Sequence, residues 1–264
     1  MKTHLIAAAA LVATVSAQAA VSLTSTAVPY TQNFDTLAAT TAGNIAWSND
    51  STIVGWSLFN RDNAAIGTYN ANDGSSNIGS FYSFGTAGAP DRALGSVASG
   101  GAYFGSPPSN ALAGYIALAV TNNTGTALAS ISLSLDGEQW RNGGNTTPQS
   151  LGLEYGFGGT FASVASWRGV SDFTFTSPVA TATAAPVNGN VAGLVAGLGG
   201  SIITNWAVGD TLWLRWSDLN DTGNDHGLAI DNLSLSVTAV PEPGTTALLL
   251  AGLAVIGLLA RRRA

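Results

Sequence analysis

Cysteine is absent from the 264-residue sequence, which excludes a disulfide framework, a thiolate nucleophile and every cysteine-ligated metal centre. Lysine occurs once, as Lys2, and histidine twice, as His4 and His226. One histidine beyond residue 19 leaves no two- or three-histidine zinc site, and no G-x-S-x-G elbow accompanies it. Charge is scarce, at 9% of residues. Between residues 20 and 239 five arginines stand against fourteen acids, a formal charge of −9. Such a surface lacks the basic stripe that phosphate or nucleic-acid binding requires. Amphipathic helical periodicity is also missing from this stretch. Disorder is excluded, because 46% of the residues are hydrophobic and all seven tryptophans fall in this body. About 220 residues suffice to bury a large core in one domain.

The two ends carry the clearest signals. Lys2 and the short apolar run Leu5 to Val15 precede Ser16-Ala17-Gln18-Ala19. Small residues at Ala17 and Ala19 fit a signal-peptide cleavage site after Ala19. At the other end Pro241-Glu242-Pro243 is followed by an uncharged run, Thr245 to Ala260, and then Arg261-Arg262-Arg263. As a helix rising ~1.5 Å per residue the run reaches roughly 24 Å, short of a ~30 Å hydrocarbon core by a gap that arginine stems can span. The arginines orient the C-terminus to the cytoplasm and the body outward. Motif, apolar run and arginines in this order resemble the PEP-CTERM sorting signal of Gram-negative exopolysaccharide producers. That resemblance implies passage through the Sec translocon, a transient inner-membrane anchor, and processing by an exosortase, a membrane-embedded cysteine protease. The expected division is a signal peptide at 1–19, a body at 20–239 and a tail at 240–264, with the motif at 241–243, the transmembrane helix at 245–260 and the arginine cluster at 261–263.

Within the body the hydrophobic period is two. Ile116 to Val120, Ile131 to Leu135, Leu212 to Trp216, Leu233 to Val237 and Phe173 to Thr176 alternate. Turn clusters separate them, at Asn122 to Gly125, Arg141 to Asn145, Pro186 to Asn190 and Asp221 to Asn224. Val191 to Ile203, rich in Gly, Ala and Leu, fits either a short helix or a Gly-rich strand. The pattern predicts an all-β, two-sheet antiparallel β-sandwich with its first and last strands close together. Phe34-Asp35-Thr36-Leu37, Asp91 to Gly95, Asp136 to Arg141, Leu214 to Asp218 and the closing Asp225 to Asn232 follow in an order similar to a class of exported bacterial surface proteins with no common assigned reaction. The Ala229-Ile230-Asp231-Asn232 strand resembles the last strand of concanavalin-like, MAM-like and reelin-type jelly rolls.

Four groups of residues are candidates for chemistry. His226 fits a turn histidine bonded to backbone, or one member of a glycan or metal pocket. Asp136 and Glu138, two apart on one strand, share a face at a spacing that could just serve glycoside hydrolysis. In a body so poor in cations, however, Glu138 is expected to form a structural ion pair with Arg215, Arg141 or Arg92. Asp218, Asn220, Asp221, Asn224 and Asp225 crowd one connection, and Asp231 follows. They fit turn residues in water or ligands of a structural Ca²⁺. The jelly-roll resemblance implies such an ion, with Asp231 as a ligand, while Ala229 at the twelfth position excludes an EF-hand. Trp213 and Trp216 face opposite sides of their strand, so one is expected in the core and the other is free to stack on a glycan. Trp140, Trp167 and Trp206 are further candidates. Three readings remain. One is a surface-sorted structural protein of the extracellular polysaccharide matrix or biofilm. The others are a glycan-binding module of that layer and a polysaccharide-active hydrolase or lyase.

Overall fold

The computed structural model describes residues 20–241 together with Gly244, Leu253 and Arg261. The signal-peptide cleavage site, Glu242, Pro243, the apolar run 245–260 apart from Leu253, Arg262 and Arg263 lie outside the described residues. Among the described residues no helix is long and apolar enough to cross a membrane.

The body is built from strands, in the order β1 (Val21–Leu23), β2 (Tyr30–Gln32), β3 (Ala42–Ala46), β4 (Trp56–Asn60), β5 (Thr68–Asn72), β6 (Ser80–Phe84), β7 (Ala93–Val97), β8 (Ala111–Asn122), β9 (Leu128–Asn142), β10 (Ser150–Phe157), β11 (Arg168–Gly169), β12 (Phe175–Thr176), β13 (Ala185–Pro186), β14 (Leu194–Trp206), β15 (Thr211–Asn220) and β16 (Gly227–Ala239). The first sheet runs β1-β8-β15-β10-β11, with β4 added to β8 and β12 to β10. The second runs β13-β9-β16-β7-β6-β5-β3, with β14 added to β9 and β2 to β16. The two sheets form a sandwich, as the alternation requires. Residues pointing inward from both sheets meet in one core, among them Phe81, Leu94, Leu118, Leu153, Trp216, Ile230 and Leu235. Trp56 stacks on Trp216 at 5.7 Å within it, and its indole N–H donates to the Tyr30 hydroxyl at 2.8 Å.

Two local expectations need correction, and a third is decided between its alternatives. Two pairings are parallel, β1 with β8 and β5 with β6. In neither case does a tight hairpin join the partners, so nothing forces the chain to reverse between them. Residues 191–193 form a turn, and the Gly-rich strand β14 runs on from Leu194, with bulges after Val195 and Ile203. The Phe173 to Thr176 alternation yields only the two-residue β12, because Phe173 ends a 3₁₀ turn, although both phenylalanines are buried. The opening and closing segments do meet, with β2 antiparallel to β16 through Gln32 opposite Leu233.

Both sheets are also roofed on their outer faces. Over the first sheet Phe161 and Val164 cover Phe59, Tyr115 and Trp213. Over the second, Tyr82, Phe84 and Trp140 lie as parallel rings, at 4.8 Å and 6.5 Å between centroids, packed with Ala93, Val97 and Ala229. The segment Pro186 to Gly189 lies against Trp140, with Val187 donating its N–H to the Trp140 carbonyl at 2.8 Å.

Candidate functional site

The expected pair Glu138–Arg215 is not formed. Arg215 lies opposite Glu154 in the β15–β10 register and bonds it through Nε at 2.8 Å and Nη2 at 2.7 Å. The same guanidinium sits over the Trp167 and Tyr115 rings, 3.9 and 4.3 Å from their centroids. Glu138 is on the other sheet, where its Oε2 accepts the Trp140 indole N–H at 2.7 Å. Trp213 and Trp216 do point to opposite sides, but both are 1% exposed, so neither offers a stacking platform. The roof over the first sheet is the reason. Trp140 and Trp206 are buried as well, and Trp167 is the tryptophan left partly open.

The acidic connection is held by amides and backbone. Asp225 Oδ1 accepts the Asp221 N–H at 2.8 Å, and the Asn145 amide donates to the Thr222 carbonyl at 2.8 Å. Gln149 donates to the Asn224 carbonyl at 3.0 Å, and Asn220 to the Pro107 carbonyl at 3.0 Å. His226 is buried and its Nδ1 accepts the Gly143 N–H at 2.9 Å, the role of a turn histidine bonded to backbone. Burial pushes its pKa down. Asp218 points inward and accepts the Ser96 hydroxyl at 2.6 Å. Burial, with Asp225 and Asp221 nearby, pushes its carboxyl well up.

Asp231 belongs to a different neighbourhood. It stands opposite Asp136 across the β16–β9 pair and is 1% exposed, with Oδ1 buried and unpartnered. Burial first, then the nearby Glu138, Asp91 and Asp35, push it up to about 8. Glu138, 2% exposed, is pushed up to about 7, chiefly by burial. An orphaned carboxyl oxygen would suit a cation, but the surrounding acids are otherwise engaged. Asp136 accepts from the Gly197 N–H and the Asn232 amide at 2.8 and 3.0 Å, and Asp35 from the Arg92 N–H at 3.1 Å. Among the described residues no three Asp, Glu or His side chains are placed to hold one metal ion. Asp218, Asp221, Asp225 and Asp231 are thus not gathered as three carboxylates around one point. Protons on Asp231 and Glu138 relieve the same electrostatic cost.

A cavity of about 300 Å³ opens where β7, β9 and the β15–β16 connection end together, lined among others by Asn77, Ser99, Arg141, Asn220, Asn224 and Asp225. Arg141 reaches it through a backbone irregularity. Gly227 pairs with Arg141 and Leu228 with Gln139, so Trp140 is an extra residue in β9. The bulge breaks the alternation and brings Arg141 beside the outer-face aromatics. Arg141 Cβ and Phe84 Cζ lie 2.9 and 3.1 Å from where a Cβ on Gly227 would stand. Gly74, at φ +90°, packs its backbone so close that a Cβ there would lie 1.7 Å from the Trp140 carbonyl oxygen. That contact delivers the Gly74 and Ser75 carbonyls to Arg141 Nη1, at 3.0 and 3.2 Å. Sequence reasoning named Arg141 only as a possible partner of Glu138, and it missed Glu154 and Ser96. The break in alternation at Gly137 to Arg141 is the signal that points to the bulge.

Comparison with known proteins agrees with the tail. Residues 239–263 match the PEP-CTERM protein-sorting motif, so the chain carries a signal for exosortase-dependent sorting to the cell surface. No curated protein matches the chain. Among solved structures, the CBM22-1 xylan-binding domain of Paenibacillus barcinonensis Xyn10C is similar over 78% of this chain and 100% of its own, at 10% identity and a TM-score of 0.34. A family 35 carbohydrate binding module from Clostridium thermocellum is similar over 68% of this chain and 96% of its own, at 15% identity and a TM-score of 0.27.

Proposed function

We propose that this chain is an exported protein, released to the cell surface by exosortase processing and retained in the extracellular polysaccharide layer as a non-catalytic structural module. The observation that carries the reading is the sorting motif at 239–263, which begins where β16 ends at Ala239. A rigid sandwich joined to the signal with almost no linker suits display of the whole body after processing. The hydrolase or lyase reading loses one of its two acids, because Glu138 is 2% exposed, beyond reach of a polymer, and its Oε2 accepts the Trp140 indole N–H. Mass spectrometry of the surface or released protein from its native host tests the proposal. A C-terminus close to Val240 supports it, and intact protein ending at Ala264 reduces the tail to a plain anchor. The cavity beside Arg141, lined by amides, a hydroxyl and a carboxylate, favours a second reading in which the module binds the polysaccharide around it.

A further inference from the structure

Arg141 is 9% exposed and makes no ion pair. Its Nη1 is taken by the Gly74 and Ser75 carbonyls. Its Nε is sealed from solvent without a partner, and its Nη2 makes no hydrogen bond within the chain. The guanidinium nitrogen left open without an acceptor is therefore Nη2, whose N–H groups can make a charge-assisted hydrogen bond to a carboxylate oxygen. Arg141 lines the cavity, and no other basic side chain does. The remaining walls suit hydroxyl groups. The Asn77 and Asn224 amides are exposed and make no side-chain hydrogen bond within the chain, and Asp225 keeps one carboxyl oxygen without a donor. A buried cation with one unfilled donor nitrogen, in a cavity also lined by amides and an acceptor, is a site for a ligand that is anionic at one end and polyhydroxylic elsewhere.

We propose that the Arg141 cavity binds a carboxylate-bearing sugar, a uronate unit of an extracellular polysaccharide, with the carboxylate on Arg141 Nη2 and ring hydroxyls on Asn77, Asn224 and Asp225. This rests on the reading that the body contacts polysaccharide, and it adds the chemical class of the sugar and the residue that selects it.

The test is calorimetric titration of the full chain in mild detergent with glucuronate and galacturonate oligomers, with neutral glucose and xylose oligomers of equal length, and with mixed extracellular polysaccharide. Uronate oligomers should bind at least tenfold more tightly than neutral ones and weaken several-fold between low and physiological salt. Arg141→Gln should remove that preference and Arg141→Lys should retain part of it. Asp225→Asn removes a like charge while its amide oxygen still accepts the Asp221 N–H, so uronate binding should tighten several-fold. That variant keeps the test decisive if Arg141→Gln does not fold. Equal binding of acidic and neutral oligomers, or uronate binding unchanged in both Arg141→Gln and Asp225→Asn, overturns the acidic-sugar inference and leaves polysaccharide binding standing. Absence of binding to every oligomer and to the mixed polysaccharide overturns both.

Discussion

Replacing Asp231 by Asn should change the sign of its effect on stability as pH rises. Burial lifts the folded-state value from 3.8 to about 8, so between those values the folded chain holds a proton that the unfolded chain has released. The stabilising contribution of the neutral carboxyl is complete below pH 3.8 and is lost progressively as pH climbs through about 8. At about 1.4 kcal/mol per pH unit, holding that proton at pH 7 costs roughly 4 kcal/mol. Asparagine avoids this cost but brings an amide into a site where Oδ1 already lacks a partner, a penalty of about 1–3 kcal/mol. The variant should therefore be less stable than the parent near pH 4.5, about equal between pH 5 and 6, and more stable by roughly 2–4 kcal/mol at pH 7.5. Urea unfolding followed by tryptophan fluorescence at three pH values, in chelator and in millimolar Ca²⁺, measures the difference directly. A difference independent of pH would refute the reasoning. So would a parent protein stabilised by calcium through an ion that Asp231→Asn cannot hold, which would restore the metal reading of this residue.

Two further outcomes follow from the packing. Gly74→Ala forces a Cβ to within 1.7 Å of the Trp140 carbonyl at a positive φ of 90°, so urea unfolding should show a loss of at least about 2 kcal/mol; a change within experimental error would mean that this loop does not clamp the bulge. Phe161→Ala removes a ring stacked on Phe59 at 4.2 Å and 5.5 Å from Trp213, which should cost about 3–5 kcal/mol and expose Trp213 to acrylamide; unchanged quenching would show that other residues roof that face.

The strands were legible because alternation is a local property. Ile116 to Val120, Ile131 to Leu135, Leu212 to Trp216 and Leu233 to Val237 all lie inside observed strands. The same rule placed Trp213 and Trp216 on opposite faces. It said nothing about exposure, because the outer face is sealed by Phe161 and Val164 from a connection more than fifty residues away in sequence. Charge pairing failed for a related reason. Glu154 meets Arg215 only through the β10–β15 register, and Asp231 meets Asp136 only through β9–β16. Composition counts the acids and the arginines, but sheet register decides which of them meet.

Arg141 shows where the alternation rule breaks in a way that carries consequence. Taken strictly, a period of two puts Arg141 with Leu135 and Gly137, on the face that looks into the core. One extra residue in β9 moves it to the outer face, beside Trp140, where Gly74 and Ser75 turn their carbonyls toward it. Joining two carbonyls to a strand needs a neutral donor and no more. A guanidinium in that position brings a buried positive charge and a second pair of N–H groups, at a desolvation cost that the two carbonyl bonds do not by themselves offset. Arg92 is the informative contrast, because it is also buried and unpaired by any carboxylate side chain, yet its Nε, Nη1 and Nη2 all have acceptors, in Ser83 and Thr86. The structural task of Arg92 uses its whole fork, whereas that of Arg141 uses one nitrogen of three. Arg141 lines the cavity at that end of the sheet, and an acceptor on Nη2 from outside the chain would pair the charge that the two carbonyl bonds leave unpaired.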